Sequence, residues 1–232
     1  MKDRLANKKL SRRSLYLDMR LIGWLPSAGT ALVLTVGLIA AFLFQKYEGD
    51  SHELWRVIEV IVPLAFSSQA AFLLVPENEQ PLELLLACPQ PLGKVLLQRL
   101  FVLVLLQASV AFLASLIALA LPGGDRLGLA LARWIAASVA LGGAALFTAQ
   151  MTRQGIFGAL VALLLWAGSL YGGDALLVRW PQLWPWHLFL QPQDSAPMFY
   201  ALNRVVLIIG GLGMIALAVF LLRNDERVLG VK

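Results

Sequence analysis

The chain has 232 residues, 59% of them hydrophobic and only 14% charged, with a mean hydropathy of +0.75. Soluble domains carry about a quarter charged residues, and disordered chains are poor in apolar ones, so both classes are excluded. The formal charge of +5 would point to nucleic acid on a soluble protein, but on a membrane protein the placement of Lys and Arg decides more than their sum, and no nucleic-acid partner is expected.

At about 20 residues per crossing plus connections, the length suits about six membrane helices. The expected fold is all-α and integral to the membrane, a single domain over residues 1–232. The lone cysteine, Cys88, forms no internal disulfide and has no partner at metal-ligand spacing.

Residues 1–26 are basic and amphipathic. Lys9, Arg12, Arg13 and Arg20 share one sector of a helical wheel with Tyr16, while Leu10, Leu17, Leu21 and Trp24 share another. This pattern predicts an interfacial helix at anionic headgroups. The first apolar run begins only near Pro26 and is followed by no small-residue cleavage site, so no cleaved signal peptide is expected.

Six apolar runs follow, at about 27–44, 57–75, 100–121, 134–150, 155–171 and 205–222. They are continuous rather than alternating, and a spanning backbone must satisfy its own hydrogen bonds, so helices are predicted. Only Met151 to Gln154 separates the fourth from the fifth, which predicts a tight helical hairpin. With six spans and a cytoplasmic N-terminus, thirteen of the nineteen Lys and Arg residues fall on the cytoplasmic side and six (Lys46, Arg56, Arg126, Arg133, Arg179, Arg204) on the other. Positive charge is retained inside, so both termini are expected in the cytoplasm, in a bacterial inner (plasma) membrane.

Within the runs, Glu59, Gln69, Gln107 and Gln150 are the conspicuous polar residues. An ionisable group inside a membrane is a functional candidate, but Glu59 lies about one turn from the end of its run and is expected to reach water. The glutamines are expected to bond between helices.

The connection at 172–203 holds Trp180, Trp184 and Trp186, with Phe189, Phe199 and Tyr200, broken by Pro181, Pro185, Pro192 and Pro197. Tryptophan tolerates headgroup depth and proline prevents a continuous span. Short re-entrant or interfacial helices are predicted there, with the three tryptophans forming an outer lid or, equally, a lipid anchor. His52 and His187 are the only histidines, and Asp174 and Asp194 can approach His187, but no metal spacing is present. No metal site and no catalytic residues are assigned.

The connection at 76–99 opens with acids, continues through Leu82-Glu83-Leu84-Leu85-Leu86-Ala87, breaks at Pro89 and Pro91, and re-enters the apolar sequence behind Leu92, Lys94 and Arg99. A small apolar helix facing the cytoplasm needs a cover, from this chain or from a partner's groove.

In Leu82, Glu83, Leu84, Leu85, Leu86, Ala87, Pro89 and Lys94 the chain resembles the permease subunits of type-2 exporters of the ATP-binding-cassette class. Where that family usually has Gly-Thr before the leucines, this chain has Gln80-Pro81. The charged stretch Arg223 to Gly230 is similar to the family's tail, and the layout of amphipathic start, six spans and outer short helices is similar throughout. The resemblance implies that Leu82 to Ala87 with Pro89, Pro91 and Leu92 form a coupling helix for a separate ATPase subunit. It also implies a second permease subunit, identical or related, with membrane lipid around both. The chain lacks a phosphate-binding Gly-x-x-x-x-Gly-Lys-Ser/Thr loop, so no cofactor is expected here and ATP with Mg belongs to the partner. The sparse polar lining implies an amphipathic or lipid-like cargo. The alternatives are a membrane scaffold or assembly subunit that transports nothing and, further off, an integral-membrane enzyme.

Overall fold

The computed structural model describes residues 30–32, 34–37, 39, 52–75, 92–120, 127–190 and 197–228. The amphipathic segment 1–26, the proposed coupling residues Leu82 to Pro91, and Asp194 lie outside the described residues.

Six α-helices and one 3-10 helix make up the described bundle: α1 His52–Ala71, α2 Leu92–Ala120, α3 Leu127–Thr152, α4 Gly155–Tyr171, α5 Gly173–Arg179, a 3-10 helix Pro181–Trp186, and α6 Pro197–Val228. The described part of residues 30–39 is helical as well, and no strand occurs among the described residues. Three stretches are long and apolar enough to cross a membrane: Leu92–Leu119, Leu131–Thr152 and Met198–Arg223. α4 is apolar but has 17 residues.

Helices α2, α3 and α6 begin seven or eight residues before the apolar runs that announced them. Hydropathy stops where polar side chains start, but a helix continues wherever its backbone bonds are protected. The added turns carry Gln98, Arg99, Arg133, Asn203 and Arg204, and all but Gln98 are buried. Lys94 and Arg99 are therefore helical residues rather than loop residues, and Leu92 is the first residue of α2. The tight hairpin is present: Arg153 takes a left-handed φ of 60° after α3, Gln154 is extended, and α4 starts at Gly155.

α3 is the centre of the bundle. It packs against α6, α1 and α4 and only lightly against α2, and its apolar stretch is 61% buried where that of α6 is 22%. Buried clusters set the helix directions. Glu59, Arg133 and Arg204 meet at one end, and Ala71, Val75, Ala145, Ala149 and Ala162 meet near the hairpin. Leu96 and Leu100 pack with Leu74 and Leu222, whereas Ala111, Ala114 and Ala118 pack with Leu34, Ile58 and Val62. Thus α1, α3 and α6 run one way and α2 and α4 the other. Residues 30–39 also oppose α1, since Thr30 meets Gln69 and Gly37 meets Val57.

Close approach needs small residues. At the α3–α6 crossing a Cβ on Gly143 would strike the backbone of Gly211, and one on Gly211 would strike that of Val139. Backbones in contact gain dispersion and lose no side-chain freedom, which is how helices associate where lipid removes the hydrophobic drive. The outer faces of α2, α4 and α6 carry exposed Phe101, Leu113, Leu164, Ile209 and Phe220. An apolar surface of that extent is unsuited to water and suits a hydrocarbon surround or a partner.

Candidate functional site

Among the described residues, the densest polar arrangement lies where α1, α3 and α6 meet the tryptophan segment. α6 enters with Asn203 and Arg204, both buried. The Asn203 Nδ2 amide donates to the carbonyls of Trp184, Pro185 and His187, each at 3.0 Å. The end of a 3-10 helix leaves carbonyls short of partners, although that of Trp184 also accepts the His187 N–H at 3.2 Å. Arg204 donates from Nη1 to the Leu188 carbonyl at 2.8 Å and to the Arg133 carbonyl at 3.4 Å. From Nη2 it donates to the Leu190 carbonyl at 2.8 Å and to Glu59 Oε1 at 3.3 Å. Its guanidinium also lies 4.7 Å from the centre of the Tyr200 ring, one turn earlier on α6, in cation–π contact.

Glu59 and Arg204 are 6% and 5% exposed, so the expectation that Glu59 reaches water is corrected. A carboxylate costs much to bury alone, and α6 supplies the opposite charge. Arg133, placed by its sequence position among solvent-facing charges, is buried beside them, as is Arg204. Pro63 also shapes this end: it has no N–H to give the Glu59 carbonyl, and its ring disturbs the turn before it. There the Val60 carbonyl accepts Nε1 of Trp166 from α4 at 2.8 Å. The arrangement binds the chain to itself, with one guanidinium shared among three backbone carbonyls and a carboxylate.

The structure gives the three tryptophans of this segment different surroundings. Trp184 is half-buried and meets Phe199 edge-on at 5.2 Å, while Trp180 and Trp186 are exposed. The His187 ring lies against the backbone of Gly173. The side chains of His52 and Asp174, like Asp194, fall outside the described residues. Among the described residues no group of three or more His, Cys, Asp or Glu side chains is placed to hold a metal.

The glutamines bond between helices as expected. Gln107 Nε2 donates to Gln69 Oε1 at 2.8 Å and to Thr30 Oγ1 at 3.2 Å, and Gln69 Nε2 donates to the same hydroxyl at 3.1 Å. Gln150 Nε2 donates to the Leu73 carbonyl at 2.9 Å. An apolar cavity of about 190 Å3 opens between α1, α2 and α3, lined by Val62, Phe66, Val104, Trp134 and Ile135.

Sequence reasoning missed the pairing of Glu59 with Arg204. A usable signal was present: with alternating helices Glu59, Arg133 and Arg204 all fall near the same end of their runs, at a common depth. Comparison with known proteins identifies no relative, since no family model, no curated protein and no solved structure matches the chain.

Proposed function

We propose that this chain is the transmembrane subunit of an ATP-binding-cassette exporter, moving an amphipathic or lipid-like cargo on energy from a separate ATPase subunit. The observation that carries this reading is the loop motif Leu82-Glu83-Leu84-Leu85-Leu86-Ala87 with Pro89, Pro91 and Lys94. A helix of the stated kind follows directly behind it, with Lys94 exposed in its first turn. A short rigid element attached to the start of a 29-residue helix is suited to carry a push along that helix, about 43 Å at 1.5 Å per residue.

Six spans in alternating directions agree with the packing of residues 30–39, α1, α2, α3, α4 and α6. Charges buried between helices do not report on sidedness. Without Arg99, Arg133 and Arg204, which are buried, the Lys and Arg count is twelve on the hairpin side against four on the tryptophan side. The positive-inside rule then places the hairpin end and both termini in the cytoplasm and the tryptophan segment outside as a lid. A second permease subunit would complete the path, with lipid on the remaining apolar faces.

The test is the coupling helix. A charge at Leu85 would have to be desolvated in the ATPase groove without a partner, a cost on the order of several kcal/mol. The Leu85→Asp protein is expected to insert normally and to lose copurification with the ATPase or stimulation of hydrolysis by it. A scaffold predicts no such dependence, and equal binding and equal coupled hydrolysis in both proteins would sink the assignment.

A further inference from the structure

The hydrogen bonds around Asn203 and Arg204 fall into two sets that join different parts of the molecule. The first set ties the tryptophan segment to α6. Asn203 holds the carbonyls of Trp184, Pro185 and His187, and Arg204 holds those of Leu188 and Leu190. Five carbonyls of one stretch of backbone thus lie 2.8 to 3.0 Å from the donor nitrogens of two adjacent residues, the two N–H groups of Asn203 being shared among three of them. Trp184 against Phe199, and the Trp186 ring beside Gly210, add contacts between the same two parts.

This assembly packs on α3 through Leu188, Leu207 and Gly211; the second set of hydrogen bonds ties it to α1 and α3 and is thinner. It comprises the Glu59 Oε1 contact at 3.3 Å and the Arg133 carbonyl contact at 3.4 Å, both longer than the 2.7 to 3.2 Å of a well-formed N–H···O bond. α1 and α6 pack chiefly against α3 rather than against one another. The ion pair is therefore the main polar tie between α1 and α6 among the described residues.

We infer that residues 184–190 and α6 form one rigid body, and that the Glu59–Arg204 pair is a separable latch fixing that body against α1. The tryptophan segment then moves with α6 when the latch opens and does not peel away from it. Opening breaks the ion pair at the expense of the Glu59 carboxylate and leaves Arg204 on the Leu188 and Leu190 carbonyls, so the guanidinium keeps partners in both states. Peeling would take the side-chain donors from five carbonyls at once, only that of Trp184 keeping a described backbone donor in the His187 N–H, and unmade bonds are costly where water is scarce. The naming of this segment as a lid rests on the transporter reading; the mechanical division does not.

The experiment places spin labels in the full-length chain on a Cys88→Ala background, in lipid nanodiscs. One pair, at Leu183, which adjoins the inferred body in the same 3-10 helix as Trp184 and Pro185, and at Ile209 within it, reports on the clasp; the other, at Arg56 and Ile209, lies across the latch, and all three positions are exposed. Glu59→Gln is expected to add a second, longer population to the Arg56 to Ile209 distances and to leave the Leu183 to Ile209 distances unchanged. Asn203→Ala is expected to broaden the Leu183 to Ile209 distances. Glu59→Asp, which keeps the charge but draws it back by one methylene, is expected to give the Glu59→Gln effect in smaller measure and guards against a folding artefact. No change across the latch in Glu59→Gln, or broadening of both pairs together, overturns the latch; no change within the body in Asn203→Ala overturns the clasp. Neither cargo nor ATPase is required, so a chain that transports nothing still reports the latch, and failure of the transporter reading shows separately in the Leu85→Asp assay.

Discussion

The two ends of the bundle are held by opposite means. Near the tryptophan segment, long polar side chains reach between elements: Arg204 meets Glu59 and three carbonyls, and Asn203 meets three more. Near the α3–α4 hairpin, helices meet through Ala71, Ala145, Ala149 and Ala162, and Gly158 rides on the Ala145 carbonyl. Long side chains span irregular gaps, so they suit an end where short helices must be tied down. Small residues let regular helices close to backbone contact, so they suit an end where a two-residue turn sets the geometry. The polar end depends on complete partnerships, because each group is buried only at the cost of its hydration. The hairpin end depends chiefly on shape.

The largest effect is therefore expected from breaking one partnership. Arg204→Leu strands the Glu59 carboxylate and frees the Leu188 and Leu190 carbonyls, a loss of about 3 to 5 kcal/mol by analogy with other buried pairs. Unfolding in mixed micelles, followed by helical signal, measures it. Glu59→Leu combined with Arg204→Leu removes both charges and is expected to recover a large part of that loss. If the double variant is no more stable than the single one, the carbonyl bonds rather than the ion pair hold this end.

The difference between the ends also explains what could be read from the sequence. Apolar runs, the Met151 to Gln154 turn and the bonding of Gln69, Gln107 and Gln150 between helices were legible, because each is a property of one segment or of lone polar groups in apolar surroundings. The polar end was not, because Glu59, Arg133 and Arg204 each sit near the end of a run, where a charge ordinarily faces water. Their burial follows from three helices meeting at one depth, and hydropathy treats each run alone. The same blindness placed the starts of α2, α3 and α6 too late. Residues such as Arg99 and Asn203 look like loop until a neighbouring helix covers them. The tryptophans were recognisable as a segment, but not that Trp184 would be half-buried and meet Phe199 while Trp180 and Trp186 stay exposed, which follows from how the segment folds onto α6.

A smaller loss is expected from shape at the hairpin end. At Gly158 a Cβ would press on the Ala145 carbonyl and sit 2.8 Å from the Ala149 methyl, so Gly158→Leu has no rotamer that avoids α3. Overpacking of a tight site costs about 1 to 3 kcal/mol. Gly213→Ala is the control, because a Cβ there has nothing within 4 Å and a helical alanine is favoured over glycine by up to about 1 kcal/mol. The same unfolding measurement is expected to rank Gly158→Leu below wild type and Gly213→Ala at or above it. A Gly158→Leu protein as stable as wild type would mean that α3 and α4 slide freely, and the hairpin end would not be held by shape.

The smallest effect sharpens the comparison by placing a polar change at the apolar end. Gln150 is buried and donates to the Leu73 carbonyl, two residues past the end of α1 and just before the left-handed Leu74, where the helix no longer supplies a donor. Gln150→Leu keeps the volume and removes the donor. Hydrogen bonds between membrane helices average about 0.6 kcal/mol, because the separated helices also find partners, so a loss of about that size is expected, well under that of Arg204→Leu. The Leu73 carbonyl lies close to the end of α1, where a neighbouring donor or water can replace the amide, whereas the Glu59 carboxylate that loses its ion-pair partner stays buried. If Gln150→Leu matches Arg204→Leu in size, a single amide would be holding the hairpin end as firmly as the ion pair holds the other, and the contrast between shape and partnership would fail.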